Sequence, residues 1–91
     1  MANIGQFKVN SVWTKAEDIA GYTFVATESY TIQNKGYEPL MLCESVDTPE
    51  DDNVGFIVNT GDKVGYTCKN GEYLFMKAYQ GETSFNIAEG I

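Results

Sequence analysis

From residue 30 onward the chain alternates short apolar segments with turn signals. The segments read Tyr-Thr-Ile-Gln-Asn at 30–34, Pro-Leu-Met-Leu-Cys-Glu-Ser at 39–45 and Val-Gly-Phe-Ile-Val at 54–58. Lys-Val-Gly-Tyr-Thr-Cys at 63–68, Glu-Tyr-Leu-Phe-Met-Lys-Ala-Tyr at 72–79 and Ser-Phe-Asn-Ile-Ala-Glu at 84–89 follow. Asn-Lys-Gly, Asn-Thr-Gly-Asp, Lys-Asn-Gly and Gln-Gly-Glu fill the gaps between them. Evenly spaced strands with such turns predict an all-β fold, a small antiparallel β-sandwich or barrel-like domain of about 7–8 short strands.

The alternation also assigns faces. Tyr30 and Ile32 point opposite to Thr31 and Gln33, as period-two geometry requires. Leu40 and Leu42 point one way and Met41 and Cys43 the other, so this strand is apolar on both sides. Such a strand is central, or its outer face meets another subunit. Residues 72–79 set Tyr73, Phe75, Lys77 and Tyr79 against Leu74, Met76 and Ala78. Val64, Tyr66 and Cys68 share a face, and Phe85 and Ile87 point inward on the closing strand. Gly55, Gly61, Gly65, Gly71 and Gly81 are spaced as turn and bulge glycines, unlike a phosphate-binding loop.

Upstream the pattern is weaker. Ile4, Phe7, Val9 and Val12 stand among polar neighbours, which predicts a first strand over 6–12 with residues 1–5 as a loose arm. Thr14-Lys15-Ala16-Glu17 has the form of a capping box and Gly21 is a stop signal, so at most one helical turn falls near 14–20, with a long loop as the alternative. Residues 22–27, Tyr-Thr-Phe-Val-Ala-Thr, carry the aromatic and β-branched composition of a strand. The organisation is therefore an N-terminal arm or first strand at 1–12 and a single β-sandwich domain at 13–91.

Charge narrows the partners. Thirteen acidic residues face six basic ones, all lysines and scattered singly, for a net charge of −7. Phosphate-backbone recognition needs clustered cations and profits from arginine, so nucleic acid and anionic membranes are excluded as expected partners. The acidic balance favours solubility and mutual repulsion between copies. No apolar run has the length of a membrane span, and the first residues lack the basic and apolar regions of a signal peptide. A product of a cytoplasm is expected, with Cys43 and Cys68 as reduced thiols in core space; a disulfide between neighbouring strands is the alternative.

Catalytic chemistry finds little to use. The chain has no histidine, hence no ordinary base near neutral pH. Cys43 and Cys68 fall in apolar strand surroundings that raise a thiol's pKa, and paired carboxylates need a deep cleft that a chain of 91 residues scarcely builds. The expectation is that the protein is no enzyme and takes no cofactor. Residues 47–53, Asp-Thr-Pro-Glu-Asp-Asp-Asn, form an acidic loop that lacks EF-hand spacing. Asp47, Glu50, Asp51 and Asp52 are read as a solvated loop, and as candidates to meet lysines or arginines of a partner. Trp13 and the tyrosines are read as core and interface filling ahead of sugar-stacking platforms.

In its order of segments, the stretch 30–89 resembles the small β-sandwich structural proteins of tailed-phage virions. Gln33-Asn34-Lys35-Gly36 closes a strand into a glycine turn, an apolar strand spans 39–45, and Pro49 sits in the next loop. A glycine-led strand follows at 55–58, then Leu-Phe-Met-Lys-Ala at 74–78 and a closing strand at 86–89 that ends in Glu. Within that group it looks most like a capsid decoration (cement) protein or a fibre-base module. The resemblance implies a homo-oligomer of about three copies around a symmetry axis. Located on the capsid surface of the virion, such an oligomer would bridge neighbouring major capsid proteins. Ile4 and Phe7 are then the expected anchors on a neighbour, and the acidic loop the second contact. The alternatives are a tail- or fibre-associated adaptor of the virion and a small carbohydrate- or cation-binding β module.

Overall fold

Tyr30, Ile32 and Asn34 are buried while Thr31 and Gln33 between them are only partly covered, so strand alternation sorts this segment into an inner and an outer row. The same sorting recurs along the chain and yields two sheets packed face to face. The structure, a computed structural model, describes residues 3–51 and 54–90. Its elements are β1 (Asn3–Asn10), β2 (Thr14–Lys15), α1 (Ala16–Ala20), β3 (Ser29–Asn34), β4 (Leu40–Ser45), β5 (Phe56–Val58), β6 (Lys63–Thr67), β7 (Tyr73–Ala78) and β8 (Glu82–Glu89). Sheet one has the order β1-β8-β3-β6 and sheet two β2-β7-β4-β5, with every pairing antiparallel. The expected all-β sandwich is the fold observed.

The inner rows meet in one core. Ile32, Phe85 and Ile87 from sheet one lie against Leu40, Leu42, Leu74 and Met76 from sheet two, all essentially inaccessible to solvent. A fully buried side chain of this size contributes about 1.5–3 kcal/mol relative to its exposed state. A second, smaller cluster sits on the outer face of sheet two, where Trp13, Met41 and Phe75 are buried against Cys43 and Val54. Both faces of β4 are thus spent inside the protomer, and β4 is a central strand between β7 and β5.

One buried polar residue ties the sheets together. Asn34 at the end of β3 donates its amide to the carbonyls of Glu38 (2.8 Å) and Val58 (2.9 Å). Its carboxamide oxygen accepts from the Gly36 N–H and from the Thr83 hydroxyl, both at 3.0 Å. Val58 belongs to sheet two and Thr83 to sheet one, so a single side chain bonds to both layers. The turn after Asn34 needs Gly36, because a Cβ there would run into the Thr83 hydroxyl and the Ser84 backbone nitrogen.

Three local expectations are corrected. The first strand is Asn3–Asn10, not 6–12: Asn3 already pairs with Ala88, past a bulge at Gly5, and the Asn10 side chain then takes the Val12 N–H at 3.0 Å and turns the chain away. Residues 1 and 2 of the expected arm lie outside the described residues. Thr14 does not cap the helix. It lies in β2 opposite Met76, its hydroxyl donates to the Val12 carbonyl, and Lys15 stands at the N-cap with no side-chain bond. Gly21 does end α1, in the left-handed conformation, with its N–H on the Glu17 carbonyl at 2.9 Å.

The third correction concerns 22–27, which form no strand. Phe24 instead turns inward and packs edge-on against Tyr30 (4.7 Å between ring centres) and Tyr66 (5.5 Å). The Tyr30 hydroxyl accepts the Val25 N–H at 2.9 Å, and the backbones of Thr27 and Cys68 are joined at 2.8 Å. Aromatic composition here serves a plug between the sheets, and the backbone bonds are made to side chain and loop in place of a ladder.

Candidate interaction surfaces

The six residues expected at partner contacts are not gathered in one place. Ile4 and Phe7 stand on β1 in sheet one and pack partly buried against the main core; the Phe7 ring lies 5.9 Å from that of Phe85. They are anchors first of all to their own sandwich. Asp47, Glu50 and Asp51 are exposed in the connection between β4 and β5, which lies over the outer face of sheet two. Asp52 lies outside the described residues.

That loop is held by Trp13, whose indole N–H donates to the Asp51 carbonyl at 3.1 Å. Trp13 itself is 7% exposed and sits in the small outer cluster with Met41 and Phe75, so its face is spent on packing, as expected. Lys77 is buried on the same sheet face, its ammonium 5.8 Å from the centre of the Trp13 ring, and Lys15 stands 3.8 Å over the Tyr73 ring. Both contacts place a cation on a π-face with its stem over apolar surface. Among the described residues, no group of three or more acidic or cysteine side chains is gathered to hold a metal ion. No described helix is long and apolar enough to cross a membrane.

The thiols are free and belong to different clusters, Cys68 in the main core and Cys43 in the outer one. Burial, helped by the Glu44 carboxylate, pushes the Cys43 thiol above its ordinary value, which disfavours the nucleophilic thiolate. Two phenols are also displaced upward. Tyr22 is pushed to about 12, first by its hydrogen bond with Tyr30 and then by burial. Burial pushes Tyr66 upward too.

One exposed apolar edge escaped the sequence reading. Among the described residues β5 pairs with β4 alone, Leu42 opposite Phe56 and Met41 opposite Ile57. Phe56 and Ile57 stay 47% and 52% exposed although they lie on opposite faces of the strand. At the end of the same sheet, the Thr60 hydroxyl donates to the Tyr37 carbonyl and the Tyr79 N–H to that of Pro39. These bonds bring two more exposed rings, Tyr37 and Tyr79, towards this corner. The signal in the sequence was the brevity of the apolar run Phe56–Val58 after Gly55. Three residues leave no room for a flanking strand to be specified, and strand order is a long-range property.

Comparison with protein-family models, with curated protein sequences and with solved structures gave no significant match.

Proposed function

We propose that the protein is a non-enzymatic structural part of a phage virion, a capsid decoration (cement) protein that associates with itself on the outer shell and bridges major capsid proteins. The observation that carries the association is the edge of sheet two, where β5 pairs on one side among the described residues and its Val58 carbonyl is taken by Asn34. Exposed strands offer unpaired N–H and C=O groups to another chain, and proteins usually blunt them with charge, proline or a bulge. Phe56–Val58 carries neither charge nor proline, and its first two side chains are half exposed. Such an edge suits strand addition by a partner, with Ile57 on the outer face and Phe56 at the seam between the sheets.

Size and lattice fit this reading. A small sandwich buries a modest fraction of its surface and gains from association. Three residues of edge supply a weak contact, and repetition over a shell multiplies weak contacts into firm attachment. The virion assignment is supported by the segment order of 30–89, from the glycine turn after Asn34 to the closing strand that ends at Glu89.

Immunogold electron microscopy of virions purified from the source tests the assignment, with label expected over the heads. Label confined to tails replaces decoration by a tail- or fibre-associated adaptor, and unlabelled particles overturn the virion reading. Sedimentation velocity tests the edge in solution: Phe56→Glu is expected to lose self-association that the wild type shows, with an unchanged circular dichroism spectrum.

A further inference from the structure

The two outer faces of the sandwich differ in charge. Across the outward positions of sheet one stand two lysines, Lys8 and Lys63, and one carboxylate, Glu82, among hydroxyl, amide and small side chains. That is a balance of +1 on a chain whose total is −7. Glu82 is already engaged with Lys8 at 3.9 Å. The opposite side, over sheet two, presents the exposed carboxylates Asp47, Glu50 and Asp51, against two lysines, Lys15 and Lys77, that lie over the Tyr73 and Trp13 rings.

The less acidic face is also dished. Gly65 stands opposite Thr31, and Thr31 opposite Ala88, so the middle row of the sheet has little side chain to fill it. The resulting hollow of about 470 Å³ is lined by Lys63, Gln33, Asn86 and these small residues. Gln33 uses its amide on the Gly61 carbonyl and Asn86 on Asn3. Each –NH2 group carries two hydrogens, so one on each amide is left for an acceptor. The Lys63 ammonium, exposed and paired with no carboxylate among the described ion pairs, adds a charge to those donors.

We propose that this hollow receives the 47–51 turn of a second copy, in a head-to-tail contact between the face of sheet one and the acidic loop over sheet two. The inference rests on the reading that the chain self-associates, and it names a surface other than the β5 edge. Carboxylates from Asp47 and Glu50, both exposed, meet Lys63 and the amides. The two surfaces lie on opposite sides of the protomer, so the contact is heterologous and propagates into a ring or a filament. Being built from exposed charges between copies that each carry −7, it responds to salt through the contact itself and through the repulsion around it.

Sedimentation velocity on the wild type, on Lys63→Glu, on Glu50→Lys and on their equimolar mixture tests the contact. The wild type is expected to associate in about 0.15 M salt, where repulsion between copies that each carry −7 is screened beyond about 8 Å. Each swap alone sets like charges against one another and is expected to weaken association by about tenfold or more. The mixture is expected to recover it, because the reversed loop of one variant meets the reversed face of the other. Single swaps that associate as the wild type does, or a mixture as weak as its components, overturn the proposal. Phe56→Glu separates the two surfaces: if it alone abolishes association, the edge reading stands and the head-to-tail contact falls. A wild type that stays monomeric in about 0.15 M salt overturns both. Both swapped positions are exposed, and circular dichroism checks that each variant is folded.

Discussion

Thr83 donates its hydroxyl to the Asn34 carboxamide oxygen at 3.0 Å, across 49 positions of chain and inside the core. Four hydrogen bonds converge on the Asn34 side chain, and no described buried side-chain polar atom lacks a partner. Removing this amide strands donors and acceptors in both sheets at once. Asn34→Ala is expected to cost about 2–4 kcal/mol, since each buried group left unpaired costs about 1–3 kcal/mol. Urea unfolding of wild type and variant measures it; a loss under about 1 kcal/mol would mean that water replaces the amide without penalty.

Two glycines separate backbone freedom from close approach. Gly55 has φ +86 and a Cβ there would meet the Leu42 carbonyl oxygen, whereas Gly61 has φ +84 with open space around it. Gly61→Ala is expected to cost about 1–2 kcal/mol for the left-handed conformation alone. Gly55→Ala must add the clash with β4, and its midpoint in urea should fall clearly below that of Gly61→Ala. Equal midpoints would show that the Gly55 turn relaxes away from Leu42.

Thr27 is the one non-glycine described at positive φ, at 73°, and it is β-branched. The left-handed region costs such a residue about 1–2 kcal/mol, partly offset in Thr27→Gly by the larger entropy of an unfolded glycine of about 0.5–1 kcal/mol. The variant is therefore expected to be more stable by about 0.5 kcal/mol, read as a rise in thermal midpoint. A fall would place a stabilising role in the Thr27 side chain.

Trp13 is the protein's single tryptophan and reports on the outer cluster. Buried at 7% exposure beneath the acidic loop, it is expected to emit at short wavelength and to resist acrylamide in the native state. Trp13→Ala opens the space between Met41, Phe75 and the loop and is expected to cost about 3–5 kcal/mol. Free quenching of the native indole would contradict the seating of the loop on Trp13.

Alkaline pH tests the aromatic plug. The Tyr22 phenol titrates near 12 in the folded protein against 10.0 in an unconstrained chain, so between these values the unfolded state gives up its proton first. The stability that this group contributes is complete below pH 10.0 and is lost as pH rises towards about 12. Tyr66, displaced in the same direction, adds to the loss. Ultraviolet difference titration should show Tyr22 and Tyr66 ionising later than a free phenol, and Tyr22→Phe should flatten the alkaline fall in thermal midpoint.

Local periodicity was enough to determine much of this protein. Alternation at 30–34, 40–43, 73–79 and 84–89 already separates Ile32, Leu42, Met76 and Ile87 from their outward neighbours, because a strand sets its two faces every second residue whatever it pairs with. The two-sided character of β4 and the position of the acidic loop were legible for the same reason. Tertiary structure alone decided the rest. Tyr22 and Phe24 have the composition of a strand, yet Tyr30 and Tyr66 draw them into a plug. Thr14 has the form of a cap, yet Met76 pairs it into a ladder. Asn34 reads as a turn residue and becomes the bond between two sheets, and β5 becomes an edge only through the order of strands. Phe24 meets Tyr66, Thr14 meets Met76 and Asn34 meets Thr83, each tens of residues away, and a pattern confined to neighbours carries no information about which distant backbone arrives there.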